Sequence, residues 1–432
     1  MRIVNCTLLF LLLSIFVEAQ ETYIPSAENL QNREQFQDMK FGVFIHWGLY
    51  SMPGDGEWIM YNKNIHYAEY ARLARGFYPS AFDAEEWVAD VKAAGANYIC
   101  ITSRHHDGFS MFGTRQSPFN IVEATPFGRD VIAELAAACH REGIRLHFYY
   151  SLLDWSRNDY FPLGRTGRGV GRNQQGEWES YHRFMLGQLT ELLTHYGEIG
   201  AIWFDGMWDQ PADFDWRMRE IYDHIHTLQP GCLIINNHHL APLEGEDGQT
   251  FEKDLPGQNS SGYSGTATVG SLPLETCETM NRNWGYSLTD RDYKSSEELI
   301  RYLVRAAGNN ANLLMNVGPR PDGTFPERAV ERYRAMGEWL KIYGETIYGT
   351  RGGPIAPHPW GVTTQRGETI FVHILEPEDE LLFLPLEGVE VGMARWFADG
   401  DMVPFTRVPG GILLQTGSLP HATDHVVEIQ LQ

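Results

Sequence analysis

Polar and aromatic side chains recur at the ends of apolar runs, and several have types that carry acid–base or nucleophilic chemistry. A single histidine or asparagine in such a place is more often an ordinary rim residue. Recurrence at successive run ends instead indicates one shared site, because catalytic groups of barrel enzymes project from the C-terminal ends of the strands. The set is His46, Glu57, Trp58, His105, His106, Tyr149, Tyr150, Trp203, Asp205, Asn236, Asn237, Glu275 and Asn316.

Asp205 has the sequence context of a nucleophile. It follows the apolar run from Ala201 to Phe204, so its carboxylate emerges from a buried strand, where hydrogen bonds or charges must offset desolvation. A carboxylate so placed suits attack on an anomeric carbon, while a second carboxyl group protonates the leaving oxygen and later activates water. The alternative is a structural aspartate that caps a loop.

Other chemistries have weaker support in the sequence. His105 and His106 could bind a metal ion with Asp205, but adjacent strand residues point to opposite faces and no HExxH or repeated H-x-H spacing is present. No G-x-S-x-G motif marks a serine hydrolase, and the glycines of segment 164–171 match no phosphate-binding loop. We therefore expect neither a metal ion nor another cofactor.

The elements that must position these residues are short apolar runs alternating with amphipathic stretches from Phe41 to about Pro319. This alternation predicts βα units and a parallel sheet. Because no dinucleotide fingerprint is present, we favour an irregular (β/α)8-like barrel of the TIM type, in an α/β fold class, over a doubly wound sheet. The predicted strands are 41–48, 97–104, 144–151, 201–206, 232–237, 272–277 and 310–318.

Helical patterns lie between most of these strands. The stretch 81–95 follows Ser80 as a candidate N-cap, and the stretch 130–143 lies between Asp130 and Gly143. Beyond residue 344 the sequence changes to short strand-like runs separated by turn residues. We therefore predict a catalytic barrel domain over 20–344 and a C-terminal β-sandwich over 345–432. The other predicted helices are 179–197, 213–231, 295–308 and 326–344.

The net charge limits the classes of partner that the protein can bind. The net charge is −22 at pH 7 and basic residues form no long run, which argues against a nucleic-acid partner.

Residues 1–19 combine an early Arg2, a short apolar run and Ala19, the pattern of a cleaved signal peptide, which predicts a secreted or periplasmic protein. A membrane anchor is the alternative, but that run is short for a bilayer, and no span is expected in the mature protein.

Cysteines are few in the predicted mature chain. They are too widely spaced to form a disulfide framework, although an isolated bridge stays open. They are Cys100, Cys139, Cys232 and Cys277.

Seven segments occur in a characteristic order: FGVFIHWGLYS, GEW, ITSRHHDGF, YYSLLDW, IWFDG, LETCETMNRNWGY and LLMNVGPRPDG. In order and spacing they resemble family 29 glycoside hydrolases, the α-L-fucosidases, over roughly residues 28–350. The resemblance implies a barrel without full regularity and a C-terminal β-sandwich. It also implies hydrolysis of terminal L-fucose from fucosylated oligosaccharides or glycoconjugates by double displacement, through a covalent intermediate and with retention of configuration.

The resemblance implies roles for individual residues. Asp205, in the family's W-x-D-G strand, matches the nucleophile. The residues that match the lining of the sugar site are His46, Glu57, Trp58, His105, His106, Tyr150 and Trp203. In some members an arginine follows the strand that here ends at Asn237, but this chain has His238.

The acid/base is placed by a shorter match. Many members have a Trp-Glu-x-Cys segment, and its counterpart here assigns the acid/base to Glu275, with Glu278 in reserve and Glu57 as competitor. Leu274 replaces the tryptophan of that segment. The polar segment 240–270 is expected to be a mobile wall of the site that delivers the acid, or else an ordinary surface loop.

Two other functions compete with this prediction. A non-catalytic carbohydrate-binding protein would share the same fold. The presence of both Asp205 and Glu275 argues against it. A retaining glycosidase for another sugar, such as a galactoside, is the second competitor. Fucose lacks a hydroxyl at carbon 6, so its pocket needs an apolar wall there, and the aromatic residues at the strand ends agree with that need.

Overall fold

The computed structural model describes residues 22–173, 175–263, 268–377 and 379–432. The predicted signal peptide, residues 1–19, lies outside the described residues. Within those ranges no helix combines the length and the apolar character that crossing a membrane requires. The four cysteines of the predicted mature chain are all buried free thiols.

Eight parallel strands form the first sheet: β1 (Phe41–Ile45), β2 (Tyr98–Arg104), β3 (Arg145–Ser151), β4 (Ala201–Asp205), β5 (Leu233–Asn237), β6 (Gln249–Glu252), β7 (Leu274–Thr279) and β8 (Ala311–Val317). Their order is β5-β4-β3-β2-β1-β8-β7-β6, so β5 and β6 are the two edges. Between these edges a single bridge joins Ile235 to Gly248. The sheet is thus a nearly closed barrel, which confirms the predicted fold class.

Helices follow most of the strands, as the sequence predicted. Asp130 caps the helix after β2 by accepting the N–H of Ala133 at 3.0 Å, and Gly143 ends that helix in the left-handed conformation. The helices are α1 (Ala27–Met39), α2 (Ile59–Asn62), α3 (Tyr67–Tyr70), α4 (Ala84–Ala93), α5 (Ile121–Ala124), α6 (Val131–Glu142), α7 (Trp178–His195), α8 (Met218–Leu228), α9 (Ser296–Gly308) and α10 (Glu327–Tyr343).

Two features differ from the sequence prediction. The N-cap of α4 is Asp83 rather than Ser80, because the Asp83 carboxylate accepts the N–H groups of Glu85 and Glu86. Strand β6 lies inside the segment that was expected to be a loop. Its four residues form too short a run to give a clear strand pattern in the sequence. They nevertheless form an edge strand of the eight-stranded sheet.

The C-terminal part contains two antiparallel sheets, as predicted. One has the order β13-β16-β11-β10-β9 and the other β12-β15-β14. Alternate residues of β11, Ile370, Val372 and Ile374, belong to the core that the two sheets share. The strands are β9 (Arg351–Gly352), β10 (Gly361–Arg366), β11 (Thr369–Ile374), β12 (Leu381–Leu384), β13 (Val391–Trp396), β14 (Phe405–Val408), β15 (Gly411–Gln415) and β16 (His425–Leu431).

The barrel interior contains a polar contact that depends on a glycine. The Tyr98 hydroxyl donates to Oε2 of Glu275 at 2.7 Å across the interior. The Tyr98 ring fits only because Gly42 on the neighbouring strand has no side chain, since a Cβ there would lie 2.3 Å from the ring. This arrangement fixes a carboxyl group deep inside the barrel.

A buried ion pair holds the ends of β2 and β3 together. Arg104, the last residue of β2, donates to Oδ2 of Asp154 at 2.8 Å, and both side chains are fully buried. The guanidinium also donates to the carbonyl of Ser151 at 3.0 Å. The pair therefore positions the two residues that follow Arg104, both of them predicted site histidines.

We expect Arg104→Met to lower the free energy of unfolding by about 3–5 kcal/mol, because it leaves the Asp154 carboxylate buried without its cation. Urea denaturation followed by tryptophan fluorescence measures the loss. The control is Lys92→Met, which breaks the exposed Lys92–Glu142 pair and should cost much less. Equal losses in the two variants would contradict a stabilising role for the buried pair.

Candidate active site

A pocket of about 690 Å³ opens at the C-terminal ends of the barrel strands. Ligand sites of this size are typical of enzymes, and this end of the barrel is where catalytic residues lie in TIM-type folds. Nine residues were given roles by the family resemblance, and seven of them line this pocket: His46, Glu57, Trp58, His105, His106, Trp203 and Asp205. The other two, Tyr150 and Glu275, lie outside the lining and are considered below.

Asp205 at the end of β4 is held by several donors. Its Oδ1 accepts the backbone N–H of Gly206 and the indole N–H of Trp208, each at 2.8 Å, and its Oδ2 accepts the hydroxyl of Tyr149 at 3.0 Å. Burial alone would raise the pKa of Asp205, but the hydrogen bond and charge of His106 outweigh it and lower that pKa to about 2. The group is thus an oriented carboxylate at neutral pH.

His106 has a defined orientation beside this carboxylate. The Ser151 hydroxyl donates its proton to the carbonyl of Leu153 at 2.7 Å, so its oxygen accepts from Nδ1–H of His106, also at 2.7 Å. The other ring nitrogen, Nε2, then faces Oδ2 of Asp205 at 3.5 Å. When Nε2 is protonated, His106 is a cation that stabilises the ionised Asp205.

His46 and His105 are neutral in the pocket wall. The Asn316 amide donates to the carbonyl of Trp284, so its oxygen accepts Nδ1–H of His46 at 2.7 Å. Burial lowers the pKa of His46 to about 3, which leaves its Nε2 as a hydrogen-bond acceptor. Burial also lowers the pKa of His105, and its buried Nδ1 has no partner among the described residues. The His46 ring therefore has a nitrogen available for a ligand hydroxyl.

Glu252, the last residue of β6, is a second carboxyl group of the pocket that the sequence analysis missed. The amide nitrogen of Asn237 lies 2.9 Å from Oε2 of Glu252 and 3.4 Å from Oδ1 of Asp205. Those two oxygens are therefore no more than 6.3 Å apart, the sum of the two distances. Burial, with the nearby charge of Asp205, raises the pKa of Glu252 to about 7.

These two carboxyl groups have opposite properties at neutral pH. Asp205 is surrounded by donors and stays ionised, whereas Glu252 retains its proton in a large fraction of molecules. A pair of carboxyl groups whose pKa values are driven apart is the arrangement expected of a nucleophile and a general acid.

Glu57 is the third carboxyl group of the pocket. Its Oε2 accepts the backbone N–H of Gly285 at 2.7 Å, and burial raises its pKa. The neighbouring Trp58 ring stacks on Trp208, with centroids 5.7 Å apart and planes at 17°. The Trp208 indole in turn donates to Asp205, so this stack links the wall to the carboxylate.

The structure does not bring Glu275 to the pocket. Glu275 is 1% exposed, and its two oxygens accept the Tyr98 hydroxyl and, at 2.8 Å, the indole N–H of Trp203. Glu252 on β6 is paired with Cys277 on the neighbouring strand β7. Glu275 lies two residues before Cys277 on β7, and therefore about 6.6 Å deeper in the barrel. The structure therefore places Glu252, and not Glu275, in the pocket with Asp205.

Glu278, the reserve candidate, also lies outside the pocket lining. It is on the opposite face of β7 from Cys277, and its Oε1 accepts the backbone N–H of Thr279 at 2.7 Å. Its Oε1 also lies 3.4 Å from the ammonium of Lys294. These contacts keep the carboxylate away from Asp205.

The family resemblance placed Tyr150 in the sugar site, whereas the structure has Tyr149 in the pocket lining. Tyr150 points outward from β3, and its hydroxyl donates to Gln188 of α7 at 2.9 Å. Tyr149 points inward, where it is paired in register with Trp203 and its ring stacks on that indole at 5.6 Å. The period of two along a strand places Tyr149 and Tyr150 on opposite faces of β3, and the register with Trp203 decides that Tyr149 is the inward one.

The histidines after β5 have separate roles. His238 faces Glu246, with its Nε2 at 3.0 Å from Oε1, and both side chains are buried away from the pocket. His239 lines the pocket, and its Nε2 lies 3.8 Å from Oε2 of Glu252. His239 adopts a positive φ of 62°, which turns it toward the site. The position where some family members have arginine thus contains a histidine that does not reach the pocket, followed by one that does.

Comparisons with known proteins agree with one another. The family model described as alpha-L-fucosidase matches residues 11–345. A plasma α-L-fucosidase from Rattus norvegicus is 30% identical, over 94% of this chain and 91% of its own. The structure is similar to that of α-L-fucosidase isoenzyme 1 from Paenibacillus thiaminolyticus, with a TM-score of 0.84, 33% identity, and coverage of 94% of this chain and 100% of that one.

A second similar structure has a bound reaction species. It is a family 29 α-L-fucosidase from Bacteroides thetaiotaomicron, described as a trapped covalent intermediate obtained with 2-fluoro-fucosyl fluoride in a glutamate-to-glutamine variant. The TM-score is 0.80 and the identity 25%, over 95% of this chain and 98% of that one.

We expect two buried carboxyl groups, Glu252 and Glu275, to titrate near pH 7, because burial raises the pKa of each to about 7. Asp205→Asn should lower the pKa of Glu252, since the Asp205 charge contributes to its increase, and leave that of Glu275 unchanged. Infrared difference spectra of the protonated carboxyl band measure both pKa values. The Glu252→Gln and Glu275→Gln variants show which band belongs to which residue. A Glu252 band unmoved by Asp205→Asn would contradict the coupling of these two groups.

Proposed function

The chain belongs to the α-L-fucosidase family of glycoside hydrolases, and from that premise we propose that it removes terminal L-fucose by double displacement with retention of configuration. Asp205 is the proposed nucleophile and Glu252 the proposed acid/base. Substrates of this class are fucosylated oligosaccharides or glycoconjugates.

The observation that carries the proposal is the spacing of the two carboxyl groups across Asn237. Retaining glycosidases have carboxyl groups about 5–5.5 Å apart, whereas inverting enzymes need about 6.5–9.5 Å to hold a water molecule between them. The upper limit of 6.3 Å between Oδ1 of Asp205 and Oε2 of Glu252 lies below the inverting range. This spacing supports direct attack by Asp205.

In the first displacement an oxygen of Asp205 attacks the anomeric carbon of fucose and the bond from that carbon to the leaving oxygen breaks. Glu252 gives its proton to the leaving oxygen, so that the aglycone departs as a neutral alcohol. The product is an ester between fucose and Asp205. A covalent intermediate is also the species described for the Bacteroides thetaiotaomicron relative.

In the second displacement Glu252, now ionised, accepts a proton from water while the water oxygen attacks the anomeric carbon. The ester bond breaks, the carboxylate of Asp205 is regenerated, and Glu252 is again protonated. Two inversions at the same carbon give net retention. The raised pKa of Glu252 serves both roles, because the proton moves off and back near neutral pH.

The pocket wall supports a 6-deoxy sugar as the substrate. Phe44, Trp203 and Trp284 line one side, and Phe44 has edge contacts with Trp203 at 5.2 Å and Trp284 at 5.9 Å. These rings provide an apolar surface for the methyl group of fucose. The acceptor nitrogen Nε2 of His46 provides a partner for a ring hydroxyl.

The same site argues against a protein that only binds carbohydrate. Binding a neutral sugar does not require a carboxylate held by five nearby groups beside a second carboxyl group with a raised pKa. The donors on Asp205 keep it ionised and oriented, which is a property needed for attack rather than for affinity alone.

Hydrolysis of an aryl α-L-fucoside should release α-L-fucose first, because two inversions restore the original configuration. Proton NMR of the product within the first minutes, before mutarotation, measures this. Asp205→Asn is the control. It should lower the turnover rate by a factor of about 10³ or more while the circular dichroism spectrum stays unchanged. First release of the β anomer would disprove the double displacement.

Glu252→Ala should slow hydrolysis of poor leaving groups by about 10²–10⁴-fold, yet spare the fucosylation step for an activated aryl fucoside. Azide should then accelerate turnover and give fucosyl azide of retained configuration, because the anion replaces the water that Glu252 no longer activates. Steady-state kinetics and NMR of the azide product measure both effects.

The matched variant is Glu275→Ala, which removes another buried glutamate from the same barrel. Its activity should fall without azide rescue, since Glu275 supports Trp203 and does not reach the pocket. If azide rescued Glu275→Ala and not Glu252→Ala, the acid/base role would return to Glu275.

A further inference from the structure

The leaving group must lie beside the acid/base, because Glu252 has to reach the oxygen between fucose and the rest of the substrate. The pocket lining beside Glu252 includes His239, whose Nε2 lies 3.8 Å from Oε2, and Lys253, the next residue in the chain. Tyr263 stacks on His239 with centroids 6.0 Å apart and planes at 27°, and its side chain is 47% exposed. The rings of His239 and Tyr263 therefore form a surface on which a second ring can stack.

Two cations of this outer region form no ion pair with any described residue. Arg165 is exposed, and its guanidinium lies 5.7 Å from the ring of Trp208. The ammonium of Lys253 lies 5.3 Å from the ring of Trp284 and donates to the carbonyl of Arg282. Arg282 also lines the pocket, but it is paired with Asp292.

The charge of Arg165 is not neutralised by a carboxylate of the described residues, although the protein is acidic. Acidic residues outnumber basic ones by 56 to 34, so an exposed arginine has many carboxylates available to it. Other exposed cations do form such pairs, for example Arg129 with Glu134 and Arg366 with Glu345. The positive charge of Arg165 at the pocket lining is thus open to a ligand.

Fucose carries no charged group, so a cation of the pocket can select only the part of the substrate beyond the fucose. Arg165 lines the same pocket as His239, the residue beside Glu252, and its charge adds to the decrease that burial causes in the pKa of His239. Lys253 differs, since its charge also acts on Glu57 and Glu252 inside the pocket. Arg165 is therefore the cation whose charge is free to select a leaving group.

From this arrangement we infer that the outer pocket is a subsite for an anionic leaving group, an acidic sugar that carries a carboxylate or a sulfate next to the fucosyl bond. The sugar ring stacks on Tyr263 and His239, and its anionic group contacts Arg165 with support from Lys253. The inference rests on the proposed function, because it specifies the group that the proposed reaction releases.

The test uses three α-L-fucosides of similar shape, with 3-carboxyphenyl, 3-sulfophenyl and neutral 3-carbamoylphenyl leaving groups. The quantity measured is the ratio of kcat/KM for a charged probe to that for the neutral probe. In the wild-type protein we expect this ratio to fall as salt is raised. Arg165→Gln should lower the ratio by about two- to fivefold at low salt, the effect of one exposed ion pair.

Arg168→Gln is the control, because Arg168 lies on the same loop but does not line the pocket, and its guanidinium donates to the carbonyl of Gly164. This variant removes the same charge and should keep the wild-type ratio. A lower ratio in Arg168→Gln equal to that in Arg165→Gln would show a general charge effect and overturn the inference.

The probes separate the possible results. A response of the carboxylate probe alone identifies a uronic acid type of leaving group, and a response of the sulfonate probe alone identifies a sulfated one. If the neutral probe is cleaved but Arg165→Gln leaves both ratios unchanged, the anionic subsite is disproved while the proposed function stands. If the wild-type protein cleaves none of the three, the proposed function itself fails.

Discussion

The side-chain amide of Asn237 joins the two carboxyl groups on which the proposed chemistry depends. It contacts Glu252 and Asp205 from the end of β5, which pairs with β4, the strand of Asp205. Asp205 also accepts hydrogen bonds from Gly206, Trp208 and Tyr149. One carboxyl group is therefore kept ionised, and its charge helps the other keep a proton.

The sequence predicted the parts of this site that depend on strand ends alone. Asp205 and the histidines after β1 and β2 follow long apolar runs, so their exit at the C-terminal end of a barrel followed from pattern and topology. The resemblance to α-L-fucosidases, based on seven ordered motifs, is confirmed by the family model and by the solved structures. The nearly closed barrel and the C-terminal antiparallel sheets were predicted as well.

The remainder of the site depends on three-dimensional register, which the sequence pattern does not contain. Glu275 and Glu252 both point into the barrel, but pairing of Glu252 with Cys277 raises it to the pocket level, while Glu275 stays one layer below. Tyr149 and Tyr150 are equivalent by residue type and differ only in the face of β3 they occupy. In both cases a shift of one or two residues along a strand changes whether a side chain reaches the substrate.

The incomplete closure of the barrel has an evolutionary consequence. Strand β4, which ends at Asp205, is bound by backbone ladders on both sides, whereas β6 has a ladder with β7 only, and a single bridge near its start spans the gap to β5. Insertions or deletions between β5 and β6 can therefore move a carboxyl group along this edge without disrupting the strand that carries Asp205. Across homologues we expect the position of Asp205 to be fixed in alignment and that of the carboxyl group on β6 to drift, a divergence that follows from where the barrel fails to close.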